Sequence, residues 1–107
     1  MTSPSRAKLE AMVEEATVDC YNDDEQATGL FTLIEENLAL PFETEVLGVP
    51  VTVKKVAQSG RLGTVAICER EGIRQAISVL DLLLPSPAPA GADWIEAYRH
   101  WVRAGGG

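Results

Sequence analysis

The densest group of potential metal ligands in the sequence lies between two predicted helices. Within seven residues there are four carboxylates and one side-chain amide, from Asp19, Asn22, Asp23, Asp24 and Glu25. Ca²⁺ takes about six to eight oxygen ligands from carboxylates, amides, backbone carbonyls and water. Glu15 lies one helical turn before Asp19, so its carboxylate can approach the same point. These six residues are the candidate calcium ligands, although acids at a helix N-terminus also stabilise the helix by interacting with its macrodipole.

The EF-hand pattern does not account for this segment. When the template starts at Asp19, an aspartate falls where glycine is required and Leu30 falls where the bidentate glutamate belongs. When it starts at Asp24, Gly29 and Glu35 fall correctly, but the third and fifth positions are not acidic. The sequence therefore predicts a calcium site without an EF-hand.

Other kinds of chemistry have little support in the sequence. His100 is the single histidine, with no acid or nucleophile beside it, and is predicted to be a surface residue. Cys20 and Cys68 are far apart and are predicted to be reduced core thiols. One histidine and two distant cysteines do not make a zinc site, and no phosphate-binding glycine motif is present. We expect no enzymatic activity.

The net charge of −7 conceals an asymmetry along the chain. Residues 1–45 hold eleven acids and two bases, a net charge of −9, whereas residues 46–107 hold five acids and seven bases, a net charge of +2. An acidic protein repels the phosphates of nucleic acid, so nucleic-acid binding is not expected. The asymmetry instead predicts either a cationic partner for the N-terminal half or a charged surface that serves only for solvation. That partner is either a calcium ion or a basic protein.

Hydrophobic periodicity predicts an α+β protein with a single domain spanning residues 1–107. A helical pair is expected at about 4–40, with Ser3 as the first N-cap, Asn22 as the second and Gly29 marking close packing or a kink. Alternation at period two, with glycine turns, predicts a small antiparallel, barrel-like β-meander at about 43–84, onto which the helices pack. A proline-rich linker at 85–91 follows.

The last predicted element is a C-terminal helix at about 93–103, with Asp93 as its N-cap. Its apolar face docks either onto the core of this chain or into a groove on a partner, and it consists of Trp94, Ile95, Tyr98, Trp101 and Val102. The longest apolar run is too short to span a membrane, and no signal peptide is visible. A cytoplasmic protein with no membrane contact is therefore expected.

Several short patterns occur together in the order found in one family. They are V-D-C-Y-N-D-D-E-Q-A-T-G at 18–29, L-I-E-E-N-L at 33–38, Pro41-Phe42 and Y-R-H-W-V at 98–102. In these patterns the chain resembles the CcbP-type calcium-binding family of small acidic bacterial proteins. Leu30 and Leu40 depart from it, because the family has aromatic residues there. The resemblance implies calcium binding by surface carboxylates without EF-hands, in a buffering or signalling role.

A second function from a different class also fits the charge distribution. The acidic half of the chain can act as a protein-interaction module that recruits a basic partner, with metal binding incidental. Both hypotheses depend on where the fold places the acidic side chains.

Overall fold

The computed structural model describes residues 4–106, which form an α+β fold. In this part of the chain the elements are α1 (Arg6–Thr17), α2 (Asp23–Asn37), β1 (Phe42–Val46), β2 (Val49–Ser59), β3 (Gly63–Arg70), β4 (Ile73–Ser78) and α3 (Ala92–Arg103). No helix among them is both long and apolar enough to cross a bilayer.

The four strands form one antiparallel sheet in the order β1-β2-β3-β4. The predicted meander is confirmed, and its turns contain Gly48, Gly60 and Gly72 as expected. The expected barrel-like closure is wrong, because β1 and β4 lie at opposite edges and do not pair. Four strands are too few to enclose a packed interior, so the sheet stays open and the helices cover one face.

The core lies between α2 and the centre of the sheet. Leu30 and Ile34 on α2 are fully buried, and they pack in one cluster with Val53 on β2 and Cys68 on β3. α2 is the helix whose backbone lies against β2 and β3, while α1 and α3 pack against α2 and against each other. The second predicted helix therefore forms the centre of the molecule.

The helix ends are partly different from those predicted. The first helix begins at Arg6, and Ser5 caps it by accepting a hydrogen bond from the backbone N–H of Lys8 at 3.2 Å. Ser3, the predicted cap, lies outside the described residues. Asp93 is not the cap of α3; Gly91 is, in the left-handed region with φ of 85°.

Gly91 is required at the start of α3 for a steric reason. A Cβ atom there would lie 2.0 Å from the carbonyl oxygen of Asn37, so only glycine lets the chain pass the end of α2. Asp93 instead forms an ion pair with Lys8 of α1, with the Nζ and Oδ2 atoms 2.9 Å apart.

The apolar face of α3 packs onto the core of this chain, so the partner-groove alternative is not needed for it. Ile95 is fully buried, and Tyr98 and Trp101 are nearly so. The Trp101 Nε1–H donates to the Gln26 side-chain oxygen at 2.9 Å, and the Tyr98 hydroxyl accepts from the Thr64 N–H at 3.3 Å. These bonds connect α3 to both α2 and β3.

The two cysteine thiols are unpaired but differ in environment. Cys68 is buried, as predicted, whereas Cys20 is only half-buried in the α1–α2 connection, so its assignment to the core is wrong. Its Sγ lies 3.5 Å from the Glu25 carbonyl oxygen. The α1–α2 connection therefore lies at the surface and not in the core.

The buried Cys68 thiol predicts a loss of stability at alkaline pH. Burial raises the pKa of this thiol above its ordinary value of 9.0. Above that pH the unfolded chain releases the proton while the folded protein keeps it, so the free energy of unfolding falls as the pH rises. Denaturant unfolding from neutral pH to about pH 10 measures this effect. The free energy of unfolding of Cys68→Ala should fall less steeply with pH than that of wild type, and that of Cys20→Ala should fall as steeply as that of wild type. Equal slopes for both variants would contradict this assignment.

Candidate calcium-binding segment

The six predicted calcium ligands all lie at or near the connection between α1 and α2. Glu15 is in the last turn of α1, and Asp19 follows that helix with φ of 66°. Asn22 is the N-cap of α2, and the three acids after it form the first turn of that helix. All six residues are exposed, and they are Glu15, Asp19, Asn22, Asp23, Asp24 and Glu25.

Two of the six residues use an oxygen atom to cap α2. The Asn22 Oδ1 accepts a hydrogen bond from the Glu25 N–H at 2.9 Å, which confirms the predicted cap. The Glu25 Oε1 accepts from the Tyr21 N–H at 2.8 Å, one residue before the position expected in a capping box. These contacts stabilise the start of α2 and engage two of the candidate ligand atoms.

The carboxylates are near one another in the chain but do not form a preassembled metal centre. Among residues 4–106, no group of three or more His, Cys, Asp or Glu side chains is placed to hold a metal ion. The helix itself explains the spread, because successive residues point about 100° apart around its axis. Asp23, Asp24 and Glu25 are consecutive in α2 and therefore project in different directions.

The charge asymmetry is left almost uncompensated at the surface. Of the eleven acids in residues 1–45, Glu10 alone forms ion pairs within the described part of the chain, with Arg6 at 3.8 Å and His100 at 4.0 Å. The second half differs, since Glu69 contacts both Lys54 and Arg74. The remaining ten carboxylates of the first half are exposed, and no basic side chain among residues 4–106 forms an ion pair with them.

The prediction that His100 is a surface residue is wrong. Its side chain is only 18% exposed, because α3 packs against α1 and brings the ring to 4.0 Å from the Glu10 carboxylate. This contact joins residues far apart in the sequence. The residues next to His100 therefore give no sign that an acid lies near it in the fold.

A groove that sequence reasoning missed borders the same acidic turn. It has a volume of about 560 Å³ and lies between the start of α2, the β2–β3 turn and α3. Asp23 and Asp24 line one part of it, Arg61 another, and Tyr98 and Trp101 contribute aromatic surface. Two of the candidate ligands thus face a concave surface, assembled from three parts of the chain that no local pattern connects.

Comparison with known proteins identifies no relative for this chain. No family model, curated protein or solved structure matches it. The resemblance to CcbP-type proteins therefore remains a prediction from the residues that carry it.

Proposed function

We propose that this protein binds Ca²⁺ in the cytoplasm through the exposed carboxylates of the α1–α2 connection, in a buffering or signalling role and without catalysis. The observation that supports the proposal is the concentration, at this connection, of exposed carboxylates that form no ion pair within residues 4–106. A hard divalent cation is the small ligand best matched to such oxygen atoms. The two unpaired thiols fit a reducing compartment.

The proposed site forms only when the ion binds. Asp19 and Asp23 must turn toward a common point, and backbone carbonyls and water must complete the coordination. Glu25 can take part through its second carboxylate oxygen while Oε1 keeps its bond to the Tyr21 N–H. Because the ligands are not preorganised, we expect a dissociation constant of about 0.1–1 mM, at the weak end of protein calcium sites.

Calcium should raise the melting temperature if it binds the folded state. At ten times the dissociation constant, mass action stabilises the folded protein by about 1.4 kcal/mol. The double variant Asp23→Asn, Asp24→Asn should lose most of this shift in a thermal melt followed by circular dichroism. The matched control is Glu35→Gln, Glu36→Gln, which removes the same charge from exposed positions at the other end of α2.

Three results would count against the calcium proposal. They are an unchanged melting temperature at millimolar Ca²⁺, an equal shift with Mg²⁺, and an equal loss in both double variants. Amide chemical shifts provide an independent measurement, since residues 19–25 should move during the titration and the sheet should not.

A second function is favoured by carboxylates that lie outside the connection. Exposed acids without an ion-pair partner in the described part of the chain continue along α1, the end of α2 and β1, at Glu14, Glu35, Glu36, Glu43 and Glu45. They are too widely spread along these elements to share one ion. We infer that this surface suits a basic protein partner, whose attraction depends on many charges rather than on one coordination geometry.

The two functions respond differently to salt and to chelator. Binding of a lysine-rich peptide, measured by fluorescence anisotropy, should weaken steeply as salt increases and should not change with chelator. Glu35→Gln, Glu36→Gln should weaken this binding while leaving the calcium-induced melting shift intact. Peptide binding that is insensitive to salt, or abolished by chelator, would exclude the second function.

A further inference from the structure

One end of the sheet carries an apolar surface that the helices do not cover. On the face that holds the core, the side chains of Val53 and Cys68 are buried beneath α2. The same face continues toward the β1–β2 and β3–β4 turns, because the register pairs Val46 with Val49 and Arg70 with Ile73. There the side chains enclose a shallow cavity of about 300 Å³. We call this surface the hairpin-end patch; its apolar members are Val46, Leu47, Val49 and Ile73.

Leu47 is the most unusual residue of the patch. Its side chain is 97% exposed, at the tip of the β1–β2 turn. Its backbone has φ of 52°, in the left-handed region that glycine and asparagine adopt readily and leucine does not. A leucine at this position is unfavourable for two reasons: its backbone adopts a positive φ, and its apolar side chain is exposed to water. Backbone strain of this kind clusters at sites that contact ligands or switch conformation, and here it coincides with an almost fully exposed leucine.

The charges around the patch indicate which partner fits it. Arg70 and Glu71 both line the cavity, and within the described residues neither forms an ion pair. A two-fold contact brings the same surface from two copies together, so a rim that carries both signs of charge can be complementary to itself. With Arg70 of one copy facing Glu71 of the other, the rim is complementary to itself.

The acidic α1–α2 connection does not prevent contact between copies at this end. The acidic connection lies at the opposite end of the sheet, since Asp23 and Asp24 line the same groove as Gln58 and the β2–β3 turn. β2 extends from there to Val49, a length of about 30 Å. At physiological salt, charges are screened over about 8 Å. The charges of this connection in one copy are thus screened from those in the other.

We propose that the hairpin-end patch binds a second copy of this chain, forming a two-fold homodimer. Leu47 of each copy inserts against Val49 and Ile73 of the other, and Arg70 pairs with Glu71 across the axis. The patch is small compared with the interfaces of stable dimers, so the association is weak and reversible.

Sedimentation velocity on the full chain, from about 10 µM to about 1 mM, tests this proposal. Wild type should shift toward twice the monomer mass as its concentration rises. Leu47→Asn should weaken the dimer by about tenfold or more. Its monomer should melt at the same temperature or higher, because asparagine tolerates positive φ. Leu62→Asn, at the opposite turn and 49% exposed, is the matched control and should dimerise like wild type.

A charge exchange tests the proposed pairing separately. Arg70→Glu and Glu71→Lys should each weaken the dimer, and the two together in one chain should restore it. A monomer at all concentrations would show that the patch serves some other purpose and would overturn the proposal. Equal weakening by Leu47→Asn and Leu62→Asn, or no restoration in the double charge variant, would also overturn it.

Discussion

Gly29→Ala should destabilise the protein by about 1–3 kcal/mol, although the same change in an isolated helix is favourable by about 1 kcal/mol. Gly29 lies inside α2 where this helix crosses α1. A Cβ atom there would lie 2.3 Å from the carbonyl oxygen of Ala16, which is backbone and cannot move aside as a flexible side chain can. The two helices must therefore separate to admit one methyl group.

Urea unfolding of the two glycine variants measures this effect. The control is Gly60→Ala in the β2–β3 turn, where a Cβ atom would have nothing within 4 Å. We expect that control to change the free energy of unfolding by less than about 0.5 kcal/mol. A Gly29→Ala variant as stable as wild type would mean that α1 and α2 do not approach so closely.

Ile95→Ala should cost about 2–5 kcal/mol, the range for truncating a buried aliphatic side chain. Ile95 is fully buried in the cluster that joins α3 to α2 and the sheet. Removing its outer carbons leaves a cavity that the surrounding helices and strands can only partly fill. The variant thus tests whether the C-terminal helix is an integral part of the folded domain.

Ile73→Ala is the natural comparison, since the same atoms are removed from a side chain that is 73% exposed. At protein concentrations too low for self-association, we expect it to change the free energy of unfolding by less than about 1 kcal/mol. Similar costs for Ile95→Ala and Ile73→Ala would indicate that α3 is only loosely attached. That result would reopen the possibility that its aromatic face binds a partner.

The arrangement of the carboxylates shapes both proposed functions. A preassembled calcium cage must hold several carboxylates close together, and their repulsion requires a loop with a dedicated geometry. Here the acids instead follow one another in the first turn of a helix, where they stabilise its N-terminus whether or not an ion is bound. If the protein binds Ca²⁺ as proposed, it therefore does not depend on the ion to fold.

The second helix shows what could be predicted locally. Its cap at Asn22 was correctly expected, and it ends at Asn37, within the helical pair predicted at about 4–40. An N-cap is a contact between residues three positions apart, and helical periodicity is a property of the segment itself. The strand turns at Gly48 and Gly72 were predictable for the same reason. Glycine adopts the positive φ that such turns require without strain, and both residues have it.

The errors concern contacts between distant parts of the chain. The cap of α3 depends on how closely the backbone at Gly91 passes Asn37. The general preference for aspartate at N-cap positions, on which the prediction of Asp93 relied, therefore did not decide which residue caps this helix. The side chain of His100 is mostly covered because α3 packs against α1. The sheet is open because β4 and β1 lie at opposite edges and do not pair. The alternation of residues within one strand does not reveal where that strand lies in the sheet.

The sequence alone determined the fold class, the order of the elements and the concentration of acids in the first half, because each depends on composition or on short-range spacing. Three properties depend instead on the packed fold: the candidate ligands are exposed and dispersed, Gly29 is a helix-crossing point, and one end of the sheet is uncovered. Those properties depend on which surfaces the packed helices leave accessible, and packing is decided by side chains far apart in the chain.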